Sequence, residues 1–340
     1  MRLLGGIILA YKVALIYNDP IPDRYSQMGE ADAVSDVLDE VNAVYDALLV
    51  MGHSVVNVPL VPPIDDVRTT LTKLDADIFF NLFEGFAGQP ETEAMVAGMM
   101  AAMGTPFTGS AAPTLALSLD KAKAKELLMA AGVNTPRYQV LYPHTMDNFS
   151  LQFPVIVKPV AEDASHGMTQ DSVVNDRTAL IGQVEKVCQN YGGRALVEEF
   201  LNGRELSATV MGMRKPIVLS ISEIVFSLPD GLPNMLTFGA KWLTDDVYFH
   251  HTDPVCPAQI DDALWAHVAD VSIAAYRLLD CRGYARVDMR LDSNGKASVL
   301  EVNPNPDISL TSGAVRQASA IGLTYPQFVD RIIQLAFDRE

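Results

Sequence analysis

The chain has 340 residues, which at about 150 residues per domain points to two or three compact domains. Asp and Glu number 42 against 25 Lys and Arg, a formal charge of −17 that argues against binding nucleic-acid backbones. With 49% hydrophobic and 20% charged residues the chain can build a sizeable core, which excludes disordered, collagen-like and disulfide-stapled classes.

The apolar run at residues 3–10 is too short to span a bilayer and leads into the first strand; the h-region of a signal peptide is the alternative reading. Cys188, Cys256 and Cys281 lie far apart, with no metal-ligand spacing, as expected of reduced thiols. A soluble cytoplasmic chain with no nucleic-acid and no membrane partner is expected. Residues 12–18 (KVALIYN) read as a strand, and Val37, Val41, Val44 and Leu48 follow at helical spacing before Gly52. Strands at 53–58 and 77–82 are separated by another helix, and a helix from about 91 to 103 ends at Gly104. This alternation predicts a parallel α/β layer over residues 1–115.

After Pro113 one helix carries Asp120, Lys121 and Lys125 and is closed by Gly132. Strand-like runs at 154–160, 172–174, 195–200 and 205–212, with a helix near 177–189, give an α+β pattern. The stretch 226–257 has weak periodicity and scattered Pro, Gly and Asp, so a long functional loop is expected there. A helix at 261–279, a hairpin at 284–303 and a helix near 326–337 complete the chain.

The hairpin carries the most chemistry. Asn294-Gly295 suits a two-residue turn, because both residues tolerate positive φ. Ser293 then pairs with Lys296, Asp288 lies opposite Glu301, and Arg286 lies opposite Asn303. Alternation puts Arg286, Asp288, Arg290, Glu301 and Asn303 on one face, with Val287, Met289, Leu300 and Val302 on the core face. Facing carboxylates are destabilising unless a cation compensates them, either an arginine or a bound metal. Two carboxylates and an amide oxygen are hard donors that suit Mg²⁺ on a substrate's phosphates. A solvated face neutralised by Arg286 and Arg290 is the alternative.

Neither a P-loop nor a Rossmann fingerprint is present. Instead Lys158 stands near the end of the apolar strand FPVIVKP (153–159), followed by the small-residue loop at 161–168. A lysine in such a strand needs an anion or a carboxylate partner, and backbone N–H groups of the loop could cover a phosphate. Lys121 and Lys241 are further isolated cations; singly, each could equally be a surface lysine.

The order of the DK…K helix at 120–125, FPVIVKP, LVEEFLNGREL (196–206), AKWL (240–243), ARVDMRL (285–291) and LEVNPNP (300–306) resembles the ATP-grasp superfamily. Within it the chain is most similar to the D-alanine–D-alanine ligase family, and FNLFEG (80–85) and GTPFTGS (104–110) extend the likeness over nearly the whole chain. The resemblance implies an α/β, ATP-grasp fold: an N-terminal parallel domain (1–115), then two subdomains (116–205 and 206–340) clasping ATP between antiparallel sheets.

It assigns Lys121, Lys158 and Lys241 to ATP phosphates, Glu198 with the backbone of Glu199 and Leu201 to the adenine, and Glu205 to the ribose. Asp288, Glu301 and Asn303 would hold two Mg²⁺ ions, replaceable by Mn²⁺. Arg286 would stabilise the transferring phosphoryl group, with Lys241 and Ser165 in the catalytic set, and Ser312 would bind the second substrate's carboxylate. The implied reaction makes an acyl phosphate from ATP and a carboxylate, which an amine then converts to an amide. Amino acids or short peptides are the implied substrates, and a homodimer the implied assembly.

The departures cluster at one end. The family's GG-x-S-x-E element after the first strand is replaced by Tyr17-Asn-Asp-Pro-Ile-Pro22, and its HGxxGEDG loop by residues 84–91, so that Glu84 stands where histidine is usual. The serine and tyrosine that accompany the missing glutamate align with Ala164 and Trp242, and Asp307 replaces a glycine. Glu84 becomes a candidate ammonium partner and Trp242 a candidate lid; a loop surface charge and a core aromatic are the plainer readings. Three functions stay open: a ligase with a changed carboxylate substrate, a true D-alanine–D-alanine ligase, and a nucleotide-binding regulator without chemistry.

Overall fold

The computed structural model describes residues 10–20, 37–162 and 165–338; residues 3–9 of the N-terminal apolar run and Ala164 lie outside them. β1 (Lys12–Asn18) runs between β2 (Ser54–Leu60) and β3 (Ile78–Leu82), parallel to both. Its continuous apolar run follows from that position, because a central parallel strand is covered on both faces. Val13 and Leu15 pack on one side with Val41, Val44 and Leu48 of α1 (Val37–Val50). Ala14 and Ile16 pack on the other with Val67 of α2 (Ile64–Leu71) and Val96 and Met100 of α3 (Thr92–Met103).

The single helix expected after Pro113 is two helices, α4 (Ala112–Leu119) and α5 (Lys121–Ala130). Asp120 leaves the helical conformation, and its carboxylate accepts the Lys123 N–H at 3.2 Å. Asp serves well as an N-cap because it satisfies an otherwise orphaned donor, and residue spacing alone does not mark that break. The break places Lys121 at the first position of α5.

An antiparallel sheet follows in the order β4-β7-β5-β6, formed by β4 (Tyr138–Leu141), β5 (Val155–Pro159), β6 (Val173–Val174) and β7 (Ala195–Glu199). Val155, Val157 and Val197 pack under Leu180, Val184 and Val187 of α6 (Arg177–Asn190). Alternation then turns Ile156, Lys158 and Glu198 to the opposite face.

The last sheet runs β10-β9-β8-β11-β12, built from β8 (Glu205–Gly212), β9 (Ile217–Phe226), β10 (Thr252–Val255), β11 (Gly283–Leu291) and β12 (Ala297–Pro304). α9 (Asp262–Leu278) covers one face through Val268, Ala275 and Tyr276. On the other face α10 (Gly313–Ala320) lays down Gln317, which accepts the Thr209 N–H at 2.6 Å and donates to Ser207 O at 2.9 Å and Ser222 Oγ at 2.8 Å. Polar packing of this kind hides α10 from a hydrophobic pattern; neither it nor β9 is anticipated above, although the run IVLSISEIVF of β9 is largely apolar. The stretch read as a long loop holds β10 and two short helices, α7 (Phe238–Trp242) and α8 (Val247–His250). The final helix, α11 (Tyr325–Phe337), returns to the first sheet, where Phe328 and Ile332 join the core of Val13 and Leu15.

The hairpin departs from expectation twice, and the departures cancel. Its loop has three residues, not two: Asp292 N–H donates to Lys296 O at 2.8 Å and closes the pair around residues 293–295, Gly295 adopts φ +76°, and its N–H donates to Asp292 O at 3.0 Å. A β-bulge between Asp288 and Met289 then shifts the register back, so Asp288 does face Glu301 and Arg286 does face Asn303. Leu300 is the extra residue. It lines the cavity described below instead of the core, and Val299 takes its core place.

Asn305, at φ +59°, ties this hairpin to the N-terminal layer by accepting the Ser110 N–H at 2.7 Å. A side chain at Gly109, itself at φ +84°, would collide with the Asn305 amide. Gly109→Ala is therefore expected to cost about 1–3 kcal/mol of stability, read as a lower urea midpoint with an unchanged slope.

Candidate active site

A cavity of about 1140 Å³ lies between the two antiparallel sheets. Ile156, Lys158 and Glu198 line it from the four-stranded sheet, and Glu205, Ser207, Arg286, Asp288 and Glu301 from the five-stranded one. Asn18, Glu40 and Glu84 of the N-terminal layer line it too. Lys121, Ser165, Glu199, Leu201, Lys241, Trp242, Asn303 and Ser312 line it as well. Every candidate catalytic, ATP-binding, metal-binding or substrate-binding residue named from sequence thus borders one space.

Glu198 is buried between two ammonium groups, Lys125 and Lys158, each 2.9 Å from one of its carboxylate oxygens. Burial alone would raise its pKa, but the two lysines outweigh that and hold it below the ordinary carboxylate value. Burial pulls Lys125 down to about 8 against the opposing Glu198 charge. With both oxygens in ion pairs, Glu198 acts on the cavity through Lys158, whose side chain is 13% exposed.

Lys121 Nζ donates to Glu162 O at 2.7 Å and lies 3.4 Å from Glu301. Glu301 is held well below the ordinary carboxylate value: burial would raise it, but Lys121, Lys158, Arg286 and Lys241 together outweigh burial. Lys241 is open to the solvent of the cavity while walls surround it, and this desolvation, followed by the Arg286 charge, lowers its pKa. Arg286 grips Asp288, with Nε 2.8 Å from Oδ1 and Nη2 2.8 Å from Oδ2. Asn303 Nδ2 lies 2.9 Å from Asp288 Oδ2 and 3.3 Å from Glu301 Oε1, so three side chains meet at one point. Turned about its Cβ–Cγ bond, the Asn303 amide offers its oxygen there instead. Among the described residues no three His, Cys, Asp or Glu side chains form a metal-holding group, so the set rests on the amide. Two carboxylates and an amide oxygen fit a hard divalent cation such as Mg²⁺.

Arg290 has a larger part than sequence suggested, where it served only to neutralise the hairpin face. Its buried guanidinium binds Glu205 Oε2, with Nε at 3.1 Å and Nη2 at 2.5 Å, and donates to Leu201 O at 2.7 Å and to Asn234 O. It sits 5.2 Å from the ring centre of Phe200 and 5.7 Å from that of Phe226. The segment expected to meet the nucleotide base and the carboxylate expected to meet the ribose are thereby fixed to one cation. Its partners Glu205, Leu201 and Asn234 lie far away in the sequence, so no local pattern signals this role. Glu199 donates its N–H to Arg137 O at 2.9 Å, and its carboxylate lies 3.4 Å from the Arg137 guanidinium.

At the N-terminal end, Glu84 N–H donates to Asn18 Oδ1 at 2.9 Å while the Asn18 amide reaches Gly85 O. The half-buried Trp242 ring lies 6.3 Å from Phe238. Ser165 occupies the left-handed region at φ +63°. Ser312 caps α10, its Oγ accepting the Val315 N–H at 3.3 Å, and Asp307 binds the N–H and hydroxyl of Ser309 at 2.6 and 3.0 Å.

A family model described as the D-ala D-ala ligase C-terminus matches residues 127–334. The chain belongs to the D-alanine–D-alanine ligase family. An uncharacterized protein of Sinorhizobium fredii is 33% identical over 321 residues, covering 94% of this chain and 90% of that protein. A D-alanine–D-alanine ligase of Desulforudis audaxviator is 32% identical over 308 residues, covering 87% of this chain and 92% of its own. The crystal structure of D-alanine–D-alanine ligase from Bacillus anthracis complexed with ATP superposes with a TM-score of 0.72 at 22% identity, over 96% of this chain and 97% of that one. The α/β ATP-grasp fold expected from the motifs is the fold observed, and family membership makes the chain an ATP-dependent ligase forming carbon–nitrogen bonds.

Removing one partner of a buried ion pair leaves the other charge uncompensated, at a cost of about 3–5 kcal/mol. Arg290→Met in this D-alanine–D-alanine ligase relative is expected to lose stability of that order in urea unfolding, and to raise the KM for ATP through the loosened Glu205 and Leu201.

Proposed function

We propose that this ligase joins a carboxylate to an amine through an acyl phosphate, and that its carboxylate substrate is not D-alanine. The supporting observation is an asymmetry within one cavity. Lys121, Lys158, Arg286, Asp288 and Glu301 line it with the charges a phosphate and a divalent cation need, while Glu84, its backbone N–H bonded to Asn18, lines it in place of the family's usual first-substrate residues.

Lys121, Lys158 and Lys241 neutralise the ATP phosphates, with Glu198 orienting Lys158. Glu205, anchored by Arg290, takes the ribose hydroxyls, and the Glu199–Leu201 backbone takes the adenine. Asp288, Glu301 and Asn303 would hold two Mg²⁺ ions, or Mn²⁺, which when bound neutralise phosphate charge. The substrate carboxylate attacks the γ-phosphorus and ADP leaves. Arg286 stabilises charge on the transferring phosphoryl group and then on the tetrahedral centre, with Lys241 and Ser165 beside it. The amine attacks the acyl carbon and gives up a proton, and phosphate departs with the electron pair. Ser312 and the start of α10 hold the amine donor's carboxylate, Glu84 pairs with the first substrate's ammonium, and Trp242 covers the pocket.

We assign residues 1–115, 116–205 and 206–340 to three domains, the substrates to free amino acids or short peptides, the assembly to a homodimer and the compartment to the cytoplasm. Among the described residues no helix is long and apolar enough to cross a membrane, and the three cysteines are free.

Phosphate release from ATP and Mg²⁺ across D- and L-amino acids and dipeptides, with products identified by mass spectrometry, tests this reading. Release with a pair other than D-alanine and D-alanine is the expected result; release with D-alanine alone, giving the dipeptide, would overturn the substrate assignment. Arg286→Gln is expected to lower kcat about 10²–10³-fold, the usual effect of losing one transition-state donor. Glu84→Ala is expected to raise KM for the carboxylate substrate by about tenfold or more, through loss of a charge-assisted bond. An unchanged KM would remove Glu84 from the ammonium site.

A further inference from the structure

The cavity contains a second guanidinium, on Arg316 in α10, that neither the motifs nor the reaction above employs. Arg316 Nη2 and Arg286 Cδ come within 3.9 and 3.8 Å of the point where a side chain at Gly313 would begin. Two cationic arms therefore flank the first residue of the helix whose N-cap is Ser312.

The two arginines are not equivalent. Asp288 holds Arg286 in a two-pronged ion pair. Among the described residues no ion pair includes Arg316; its Nε is buried without a hydrogen-bond partner, and Nη1 donates to Thr311 O. Burial lowers the Arg316 pKa and the neighbouring Arg286 charge lowers it further, outweighing the opposing influence of Cys256 and of the Asp307 carboxylate, which forms no ion pair with it. Placing like charges together in a desolvated wall is unfavourable unless an anion joins them. Arg286, Ser312 and the helix N-terminus suffice for one carboxylate. The charge of Arg316 is in excess of that need.

We propose that Arg316 reads a second negative group on the amine-donating substrate, which is accordingly an amino dicarboxylic acid or a peptide ending in one. The inference rests on the ligase reading given above. A planar guanidinium recognises carboxylates in a way an amide or an ammonium does not reproduce, so the site distinguishes acidic from neutral donors.

The test measures glutamate, aspartate and alanine, each in both enantiomers, for calorimetric binding to the full chain with Mg²⁺ and a non-hydrolysable ATP analogue. The same amino acids serve as amine donors in the product assay. In the wild type one of the acidic amino acids is expected to bind about tenfold to a hundredfold more tightly than alanine, the range for a hydrogen bond to a charged group. Arg316→Gln abolishes that preference and Arg316→Lys restores part of it, while circular dichroism reports whether each variant is folded. In the product assay the loss falls on KM for the acidic donor. Equal binding of alanine and the acidic amino acids, or an equal weakening of both by Arg316→Gln, would overturn the proposal. Arg316-dependent binding of glutamate or aspartate without amide or ADP from any pair would instead overturn the ligase reading and leave the anion site standing.

Discussion

Asp288 and Glu301 stand opposite each other on neighbouring strands, an arrangement that costs energy unless cations share the site. The cavity wall answers that constraint on both sides: Arg286 grips Asp288, and Lys121 lies 3.4 Å from Glu301. The same rule extends along the wall, where Lys125 and Lys158 bracket Glu198 and Arg290 holds Glu205. Each sheet contributes charges of both signs.

These ion pairs are of two kinds, and burial separates them. Lys125 and Glu198 are both 1% exposed, so neither can leave the pair without stranding a charge. The Arg290–Glu205 pair is similarly enclosed, at 4% and 12%. Such pairs fix the frame. Lys121 and Glu301, in contrast, are separated by 3.4 Å, and Glu301 is 28% exposed toward the cavity. In the roles proposed above, such a looser pair exchanges partners when phosphate and a divalent cation arrive, because the new contacts replace the old at little desolvation cost. The fixed pairs therefore position the exchangeable ones, which is the preorganisation phosphoryl transfer requires.

How much of this was legible from sequence depends on what carried the signal. The facing carboxylates were read from strand alternation and a turn dipeptide, and the pairing is the one found. Yet the turn has an extra residue and the strand an extra bulge, each shifting the register by one in opposite senses. Alternation could show neither, since a bulge leaves no mark in the pattern beyond one apolar residue, Leu300, that changes faces. The helix break at Asp120 was missed because a capping aspartate looks like a surface one, whereas the run IVLSISEIVF of β9 is apolar enough to read as a strand. Motif order located the residues on the cavity wall, because short sequence blocks carry them. Lys125, Arg290 and Arg316 have roles set by partners distant in sequence, such as Glu198 and Glu205, and no local pattern shows those.

The placement of the groups also separates what the fold holds fixed from what it can vary. Lys158, Glu198, Glu205, Arg286, Asp288 and Glu301 all project from strands of two sheets, where alternation and cross-strand bonds define their directions. Glu84, Ser165, Trp242 and Asp307 come instead from loops and a short helix, and Arg316 from an eight-residue helix fastened to the sheet by Gln317. Strand positions tolerate little change, because a one-residue shift turns a side chain to the opposite face. Loop and helix-end positions change without moving the sheets. Three of the departures from the family pattern, at Glu84, Trp242 and Asp307, fall on this second group. A scaffold that carries Lys158, Glu198, Glu205, Arg286, Asp288 and Glu301 on strands, with Lys121 and Lys241 on helices, can vary loop residues such as Glu84 and Asp307 without moving the sheets that hold its charged cavity wall.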